Sequence, residues 1–500
     1  RVHDHVHSLV REIYRAIPTC GGSLATALAE CWPFRTAKAN MQKLFVRNSL
    51  RCLEYADSVR REVLRMVLNH IIQIDVEVQI ELEDLESDNE KDSSKPTGTN
   101  NNTADSDAEQ ESGSDSDSDS DTASDTDSSS ESDSGSDTDS VLSNAGDLSK
   151  TRNNAKKTVA KLDSLISTLL TWLERHAPTS PETDEQSEAT SRLFLLFLDL
   201  FDAVVLPTFK SRYTQFVLFY LCAKDAQYAD VFLGTMVGKV GEPVRSVAQD
   251  RVSRVAKVAA AAYLGSFVAR AKFLHASIVR NVVSVLVQWV NTYLDWHEQQ
   301  QHEAEIAARS KQMLLGKLTQ AILYMFCFRW RDMAEAAGGG PVVESELDNL
   351  RWCRELDGLQ RVVFSRLNPL RACAPAVAQQ FASVSSQTSF MFCYAVSAGA
   401  SSDQALRARL DSFFPFDPMA LPVSRQFIDP IYLEWQDVGE ELSDDEDDNV
   451  DYHVISDHSD IGIDIPSAAD GNEDEVIEQI VVMSISPVVS RTLIPGHRSG

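Results

Sequence analysis

Apolar residues recur at steps of three and four through most of this chain, and the longest such run lies between Glu242 and Arg331. From Val244 to Ala271, the residues Val252, Val255, Ala256, Ala259, Tyr263, Ser266 and Phe267 fall on one stripe. Ser277 to Trp296 is rich in Val and Leu and carries Trp289, Tyr293 and Trp296. Ala307 to Arg331 sets Leu314, Leu318, Ala321, Ile322, Met325 and Phe326 on a common face. This spacing predicts helices, because a strand would send every second residue to the opposite side. A lone helix is marginal in water, so each stripe needs a neighbour's stripe to cover it. Three such segments joined by short polar links predict a row of stacked helices.

The flanking sequence extends the pattern. His3 to Ile17 reads as an amphipathic helix with Val6, Leu9, Val10, Ile13 and Tyr14 on one side, ended by Pro18. Ala37 to Tyr55 and Ser58 to Ile74 are two more helices. Beyond them Ile74, Val76, Val78, Ile80 and Leu82 alternate with polar residues, which fits a short strand or the run-out of a helix. Further helices are predicted over Lys156 to His176, Leu193 to Val205 (apolar enough to be buried nearly all round), Lys210 to Ala223 and Asp225 to Lys239. Thr183 to Gln186 reads as a polar loop. After a Gly338-Gly339-Gly340-Pro341 linker, Leu347 to Leu367 and Ala376 to Ser383 are again helical. The Pro-rich aromatic stretch from Phe413 to Trp435 is expected to lie irregularly against the end of the row. The fold class is therefore all-α, a HEAT-repeat-like array.

Charge divides the chain more sharply than hydropathy does. The formal net charge is -29. Residues Glu83 to Asp147 hold 21 acidic side chains against Lys91 and Lys95, and Asp437 to Glu478 hold 17 with no Lys or Arg. With those two tracts set aside the balance is mildly basic, so overall acidity does not exclude an acidic partner. The Ser/Asp-rich tract from Ser87 to Lys150 has too few apolar residues to offset its ordering entropy and is expected to be disordered. Its alternating Ser114, Ser116, Ser118 and Ser120 fit the substrate of an acidophilic kinase, and a plain solvated insertion fits equally well. Ser443, before Asp444, Asp445 and Glu446, has the same character; Ser180-Pro181 and Ser486-Pro487 fit proline-directed kinases. The expected organisation is an N-terminal part of the array over 1–86, an acidic insertion over 87–150, the main array over 151–436 and an acidic, largely disordered tail over 437–500.

Motifs for chemistry are missing from the sequence. The eight cysteines form no CxxC pair and read as small buried hydrophobes in a reducing compartment. His3, His5 and His7 lack partners at ligand spacing. His297 and His302 are five apart, so they do not share a helix face as a zinc helix requires. The glycine runs at Gly21 and Gly338 lack the Lys-Ser/Thr of a phosphate loop. No cofactor is expected, and no signal peptide or membrane span is found. The chain begins at Arg1 and is expected to be a fragment. These readings favour a binding protein over an enzyme.

Several blocks, taken together and in order, resemble the RNA polymerase I-specific transcription initiation factors. They are Arg47-Asn48-Ser49-Leu50, Ile74 to Gln79, Leu206 to Phe216 running into Leu218-Phe219-Tyr220, Ala262 to Phe273, Tyr324 to Arg329, Arg366 to Leu370, Pro415 to Pro418, and Tyr432 to Trp435. The resemblance spans most of residues 1–436. It implies a HEAT-repeat factor, nuclear and nucleolar, that binds RNA polymerase I and brings it to a promoter-bound core or selectivity factor at ribosomal RNA genes. It also implies control of the polymerase-binding state by protein kinases, a serine-bearing surface patch that takes part in docking, and a homodimer of the free factor. Lys210, Arg212, Arg270, Lys272, Arg329 and Arg331 lie inside the matching blocks and are candidate partner contacts; ordinary helix surface or local ion pairs is the alternative. A nuclear HEAT-type scaffold or transport adaptor would share the stack. Arg361, Arg366 and Arg371 give some basic density near Asn368-Pro369, which would support at most weak direct DNA contact.

Overall fold

The computed structural model describes residues 2–93, 139–208, 211–241, 247–299, 305–335, 350–393 and 415–435. Nearly all of its regular elements are helices. In chain order these are α1 (Val2–Ala16), α2 (Gly21–Glu30), α3 (Ala39–Cys52), α4 (Arg60–Ser93), α5 (Asp139–His176), α6 (Asp184–Leu200), α7 (Phe216–Cys222), α8 (Ala226–Gly241), α9 (Val247–Arg270), α10 (Ala276–Gln299), α11 (Glu305–Met333), α12 (Leu359–Val363) and α13 (Pro375–Gln387). Two-residue strands, β1 (Ala334–Glu335) and β2 (Arg351–Trp352), pair antiparallel. Helices pack mainly on near neighbours in the chain: α3 and α4 on α5, α8 on α9, α9 and α10 on α11, α11 on α13. Their buried stripes merge into one core that runs from Val46 to Tyr432.

The alternating stretch after Ile74 is helical. Ile71, Ile74, Val78, Leu82 and Leu85 are buried at helical spacing, while Ile80 faces out, so the period of two was coincidental. Between Leu193 and Val205 the helix gives way to a π turn, Phe201–Val205, and Leu195 is exposed, so the segment is not buried all round. The stretch 347–367 is not one helix. Residues 347–349 lie outside the described residues; beyond them come β2, a 3-10 turn Arg354–Leu356 and the short α12. Trp352 needs the extended backbone of β2 to lie among Phe326 and Phe390. The Thr183–Gln186 stretch proves to be a helix start: Gln186 N donates to Thr183 Oγ1 at 3.2 Å and Gln186 Oε1 accepts from Glu182 N at 2.8 Å. The Gly338–Pro341 linker and both acidic tracts lie outside the described residues.

Two buried aspartates fasten segments far away in sequence. Asp75 of α4 is fully buried and accepts from the backbone N–H of Arg212, Tyr213 and Thr214, and from Thr214 Oγ1, at 2.8–3.1 Å. It thereby caps the turn that leads into α7. Burial raises its pKa above the usual carboxylate range, and those hydrogen bonds work against the shift. Asp163 of α5 accepts from Val423 N at 2.9 Å and from Ser424 N and Oγ at 2.8 and 2.6 Å. It caps a four-residue helical turn, Pro422–Arg425, in the C-terminal aromatic segment.

That segment crosses the middle of the row; the expectation that it lies against the end is corrected. Phe416 packs among Phe216, Phe219, Tyr263 and Phe267. Its N–H donates to Ser266 Oγ, and its carbonyl accepts from Tyr432 Oη at 2.8 Å. The rings of Phe416 and Tyr432 are too large and apolar to leave in water when α7 and α9 offer an aromatic cleft. We refer to residues 415–435 as the strap.

Close helix packing generates one test. A Cβ built at Gly265 of α9 would stand 2.8 Å from Ala321 Cβ and 2.9 Å from Ala321 Cα of α11, whereas one at the exposed Gly234 of α8 meets nothing within 4 Å. Gly265→Ala is expected to destabilise by about 1–3 kcal/mol through overpacking. Gly234→Ala should stabilise by up to about 1 kcal/mol through helix propensity. Urea unfolding of both variants checks the opposite signs. Asp163→Ala strands three donors at the strap, two of them on the buried Ser424, and should cost about 2–4 kcal/mol or expose 415–435 to limited proteolysis at a rate wild type does not show.

Candidate partner-binding surface

Three of the six candidate contacts face inward. Arg270, at the end of α9, is 4% exposed. Its guanidinium lies 4.0 Å from the centre of the Phe328 ring and 5.3 Å from that of Tyr432. Its Nε donates to Tyr324 Oη at 3.2 Å. Arg329 is 5% exposed and donates to the carbonyls of Ala271 and Leu274 at 3.1 and 2.8 Å. It closes the turn between α9 and α10, where helix carbonyls run out of partners. The backbone of α11 departs from helical angles at this residue, with φ -120° and ψ 18°. Arg212 is mostly buried against Asp417 of the strap at 3.1 Å. Burial raises the pKa of Asp417, and Arg212 and Arg270 work against that rise.

Arg212 and Arg270 hold the strap to the array, and Arg329 closes the α9–α10 turn, so the expectation that these three present their charge to a partner is corrected. The strap brings Asp417 to Arg212 and the Leu433 carbonyl and Tyr432 ring to Arg270, while Arg329 finds the carbonyls of Ala271 and Leu274 and the carboxylate of Asp332, and a buried guanidinium can use all of these. Two backbone hydrogen bonds complete the closure: Leu433 N donates to Arg270 O at 2.7 Å, and Lys272 N to Ile431 O at 3.1 Å.

The other candidates differ. The Lys272 side chain is exposed. Arg331 is half-buried, its guanidinium 4.4 Å from the Trp330 ring centre. Lys210 lies outside the described residues, as do Ser114, Ser116, Ser118, Ser120, Ser443 and Ser486. Ser180 is exposed in the link between α5 and α6. Arg361 is paired with Asp295 and Glu298, so the basic density near Asn368 is partly neutralised on the spot.

At the other end of the row, α1 packs by its polar side. His7 bonds Tyr55 Oη and Asn48 Oδ1, Tyr14 Oη meets Ser58 Oγ, and Asp4 pairs with Arg51 at 2.7 Å. Val2, Val6, Leu9 and Ile13 therefore face out, with Phe34, Met41 and Leu44 exposed beyond them. The link from α2 to α3 is held from below. Gln42 Nε2 donates to the carbonyls of Phe34, Arg35 and Ala37, Gln42 Oε1 bonds His70 Nε2 at 2.9 Å, and Lys161 Nζ donates to Arg35 O. Sequence reasoning missed this end, because α2 has no strong apolar period and the basic residues of α3 looked like ordinary surface.

Elsewhere, a recess lined by Leu68, Phe197, Phe201, Val205 and Val217 is apolar and brings no titratable group to its wall. Among the described residues no three His, Cys, Asp or Glu side chains converge as metal ligands, and no helix is long and apolar enough to cross a membrane.

Comparison with known proteins decides the family. The family model for the RNA polymerase I specific transcription initiation factor RRN3 matches residues 1–440. The chain belongs to the RRN3 family. It is 30% identical over 464 residues to the RNA polymerase I-specific transcription initiation factor rrn3 of Schizosaccharomyces pombe, covering 90% of this chain and 69% of that protein. It is 28% identical to RRN3 of Mus musculus, across 87% of this chain and 61% of the mouse protein, so it spans well short of the full length of these relatives. A crystal structure of RNA polymerase I transcription initiation factor Rrn3 superposes with a TM-score of 0.61 at 24% identity, over 86% of this chain and 73% of that one. That likeness gives the fold: an all-α, repeat-like array. RRN3 proteins are initiation factors and not enzymes, and the matched region includes α1 through the strap.

His70 makes the α2–α3 end sensitive to acid. Burial first, then the charges of Lys161 and Arg35, lower its pKa from 6.5 to about 4. Its folded pKa is thus below its unfolded one, so the neutral ring contributes full stability above pH 6.5 and loses it as pH falls towards 4. Unfolding stability is expected to drop by up to about 3 kcal/mol across that window on this account. His70→Gln should flatten the slope, as read by urea unfolding at pH 7, 5.5 and 4.5.

Proposed function

We propose that this chain binds RNA polymerase I and joins it to a promoter-bound core or selectivity factor at ribosomal RNA genes, in the nucleus and nucleolus. The observation that carries this reading is the family match across residues 1–440, which takes in the whole described array. The geometry supports it. A row of helices closed by a strap offers a long surface and an apolar recess without titratable groups, which suits docking on a large machine more than turnover of a small substrate. Control by phosphorylation would act through added charge at exposed or acidic-tract serines such as Ser180, Ser114 and Ser443. Homodimerisation of the free factor belongs to the same reading. Among the described residues, Lys272 and Arg331 are the candidate contacts left at the surface. Purified chain is expected to retain RNA polymerase I, and not polymerase II, in a pull-down. Lys272→Glu should weaken retention severalfold without lowering the melting temperature. Failure to enrich polymerase I, or capture of a small GTPase in its place, overturns the proposal in favour of a transport adaptor.

A further inference from the structure

The stretch between Glu30 and Glu54 holds Arg35, Lys38, Lys43, Arg47 and Arg51 and no carboxylate. Arg51 is taken by Asp4. The side chains of Arg35, Lys38, Lys43 and Arg47 are exposed, and none of them has an ion-pair partner among the described residues. Lys43 and Arg47 stand one turn apart on α3. Arg35 and Lys38 sit on the link before it, whose backbone is pinned by Gln42 and Lys161. The link's backbone is held and the stretch carries one sign of charge. Like charges this near in sequence repel one another unless an anion answers them.

We propose that this stretch binds the chain's own acidic insertion, residues 94–138. The insertion holds thirteen Asp and Glu against Lys95 alone. Both of its anchors are helices that pass beneath or beside the basic link. From His70, α4 runs to Ser93, about 35 Å at the helical rise, and from Lys161, α5 runs back to Asp139, about 33 Å. The 45 residues between them have ample reach. Half of that length, extended, spans roughly 70 Å, twice the distance needed. Exposed ion pairs are individually weak, but tethering raises the local concentration of carboxylates to the order of millimolar, so several pairs form together. Phosphates on Ser114, Ser116, Ser118 or Ser120 each add about -1.5 to -2 of charge to the segment that must reach furthest, and tighten the contact. This inference stands apart from the polymerase reading, since it concerns one chain alone.

Zero-length carbodiimide crosslinking of the full chain, read by mass spectrometry of the monomer band, tests it. At low salt Lys38 and Lys43 are expected to join carboxylates between Asp105 and Asp137, with yield falling on the order of fivefold at 0.5 M salt. Phosphorylation by a kinase that reads acidic sequence should raise the yield. Lys43→Glu with Arg47→Glu, both at exposed sites, should abolish the remaining Lys38 links while leaving helicity and melting unchanged. The proposal is overturned if Lys38 and Lys43 link mainly to the tail 437–478, or to a second chain in a mixture of light and isotope-labelled protein. Equal linkage of the insertion to Lys272, at the far end of α9, would also sink it, as would yields indifferent to salt and to the double substitution.

Discussion

A backbone N–H taken out of water must find an acceptor, and in this molecule two such groups of N–H donors find a carboxylate far away in sequence. Asp75 reaches Thr214 across 139 residues and Asp163 reaches Ser424 across 261. Each is a helix cap supplied from another helix. The segments they hold, the turn into α7 and the helical turn of the strap, are too short to be stable alone. Their order therefore depends on a side chain that the row of helices presents. Burying each aspartate costs desolvation, and leaving its N–H donors unmet would cost as much again, so carboxylate and turn require each other.

Buried cations follow the same logic. Arg212, Arg270 and Arg329 would be expensive to bury singly. Asp417, the carbonyls of Ala271, Leu274 and Leu433, and the rings of Phe328 and Tyr432 together answer them. The arginines thus join non-adjacent parts of the array into one body, and Phe416 supplies the apolar centre of that joint. A partner meeting the strap would find a closed surface, with Lys272 and Arg331 at its edge. At the N-terminal end of the row, α1 turns its polar side inward, and the α2–α3 link and α3 together leave four cations without an ion-pair partner among the described residues. The two regions therefore differ in kind: one is internally satisfied, the other is rich in exposed apolar and basic groups.

The sequence by itself determined the helices with long, regular stripes. α9, α10 and α11 fall within a few residues of their predicted bounds, because a three-and-four spacing over twenty residues permits no other periodic structure. It also determined the division of charge, which is a matter of composition. The family was legible too, since Leu206 to Phe216, Ala262 to Phe273 and Tyr432 to Trp435 stand in order. Where a local signal had two meanings, only tertiary structure chose. Ile74 to Leu82 satisfied both periods until α5 covered one face of a helix. The stretch around Trp352 had helical spacing, yet Phe326 and Phe390 drew Trp352 into an extended turn. Arg212, Arg270 and Arg329 look like surface in any window of sequence, because the groups that bury them lie on other segments. Periodicity reports how a residue relates to its neighbours within a few turns; what a charge will meet is set by contacts hundreds of residues away, and those exist only once the chain has folded.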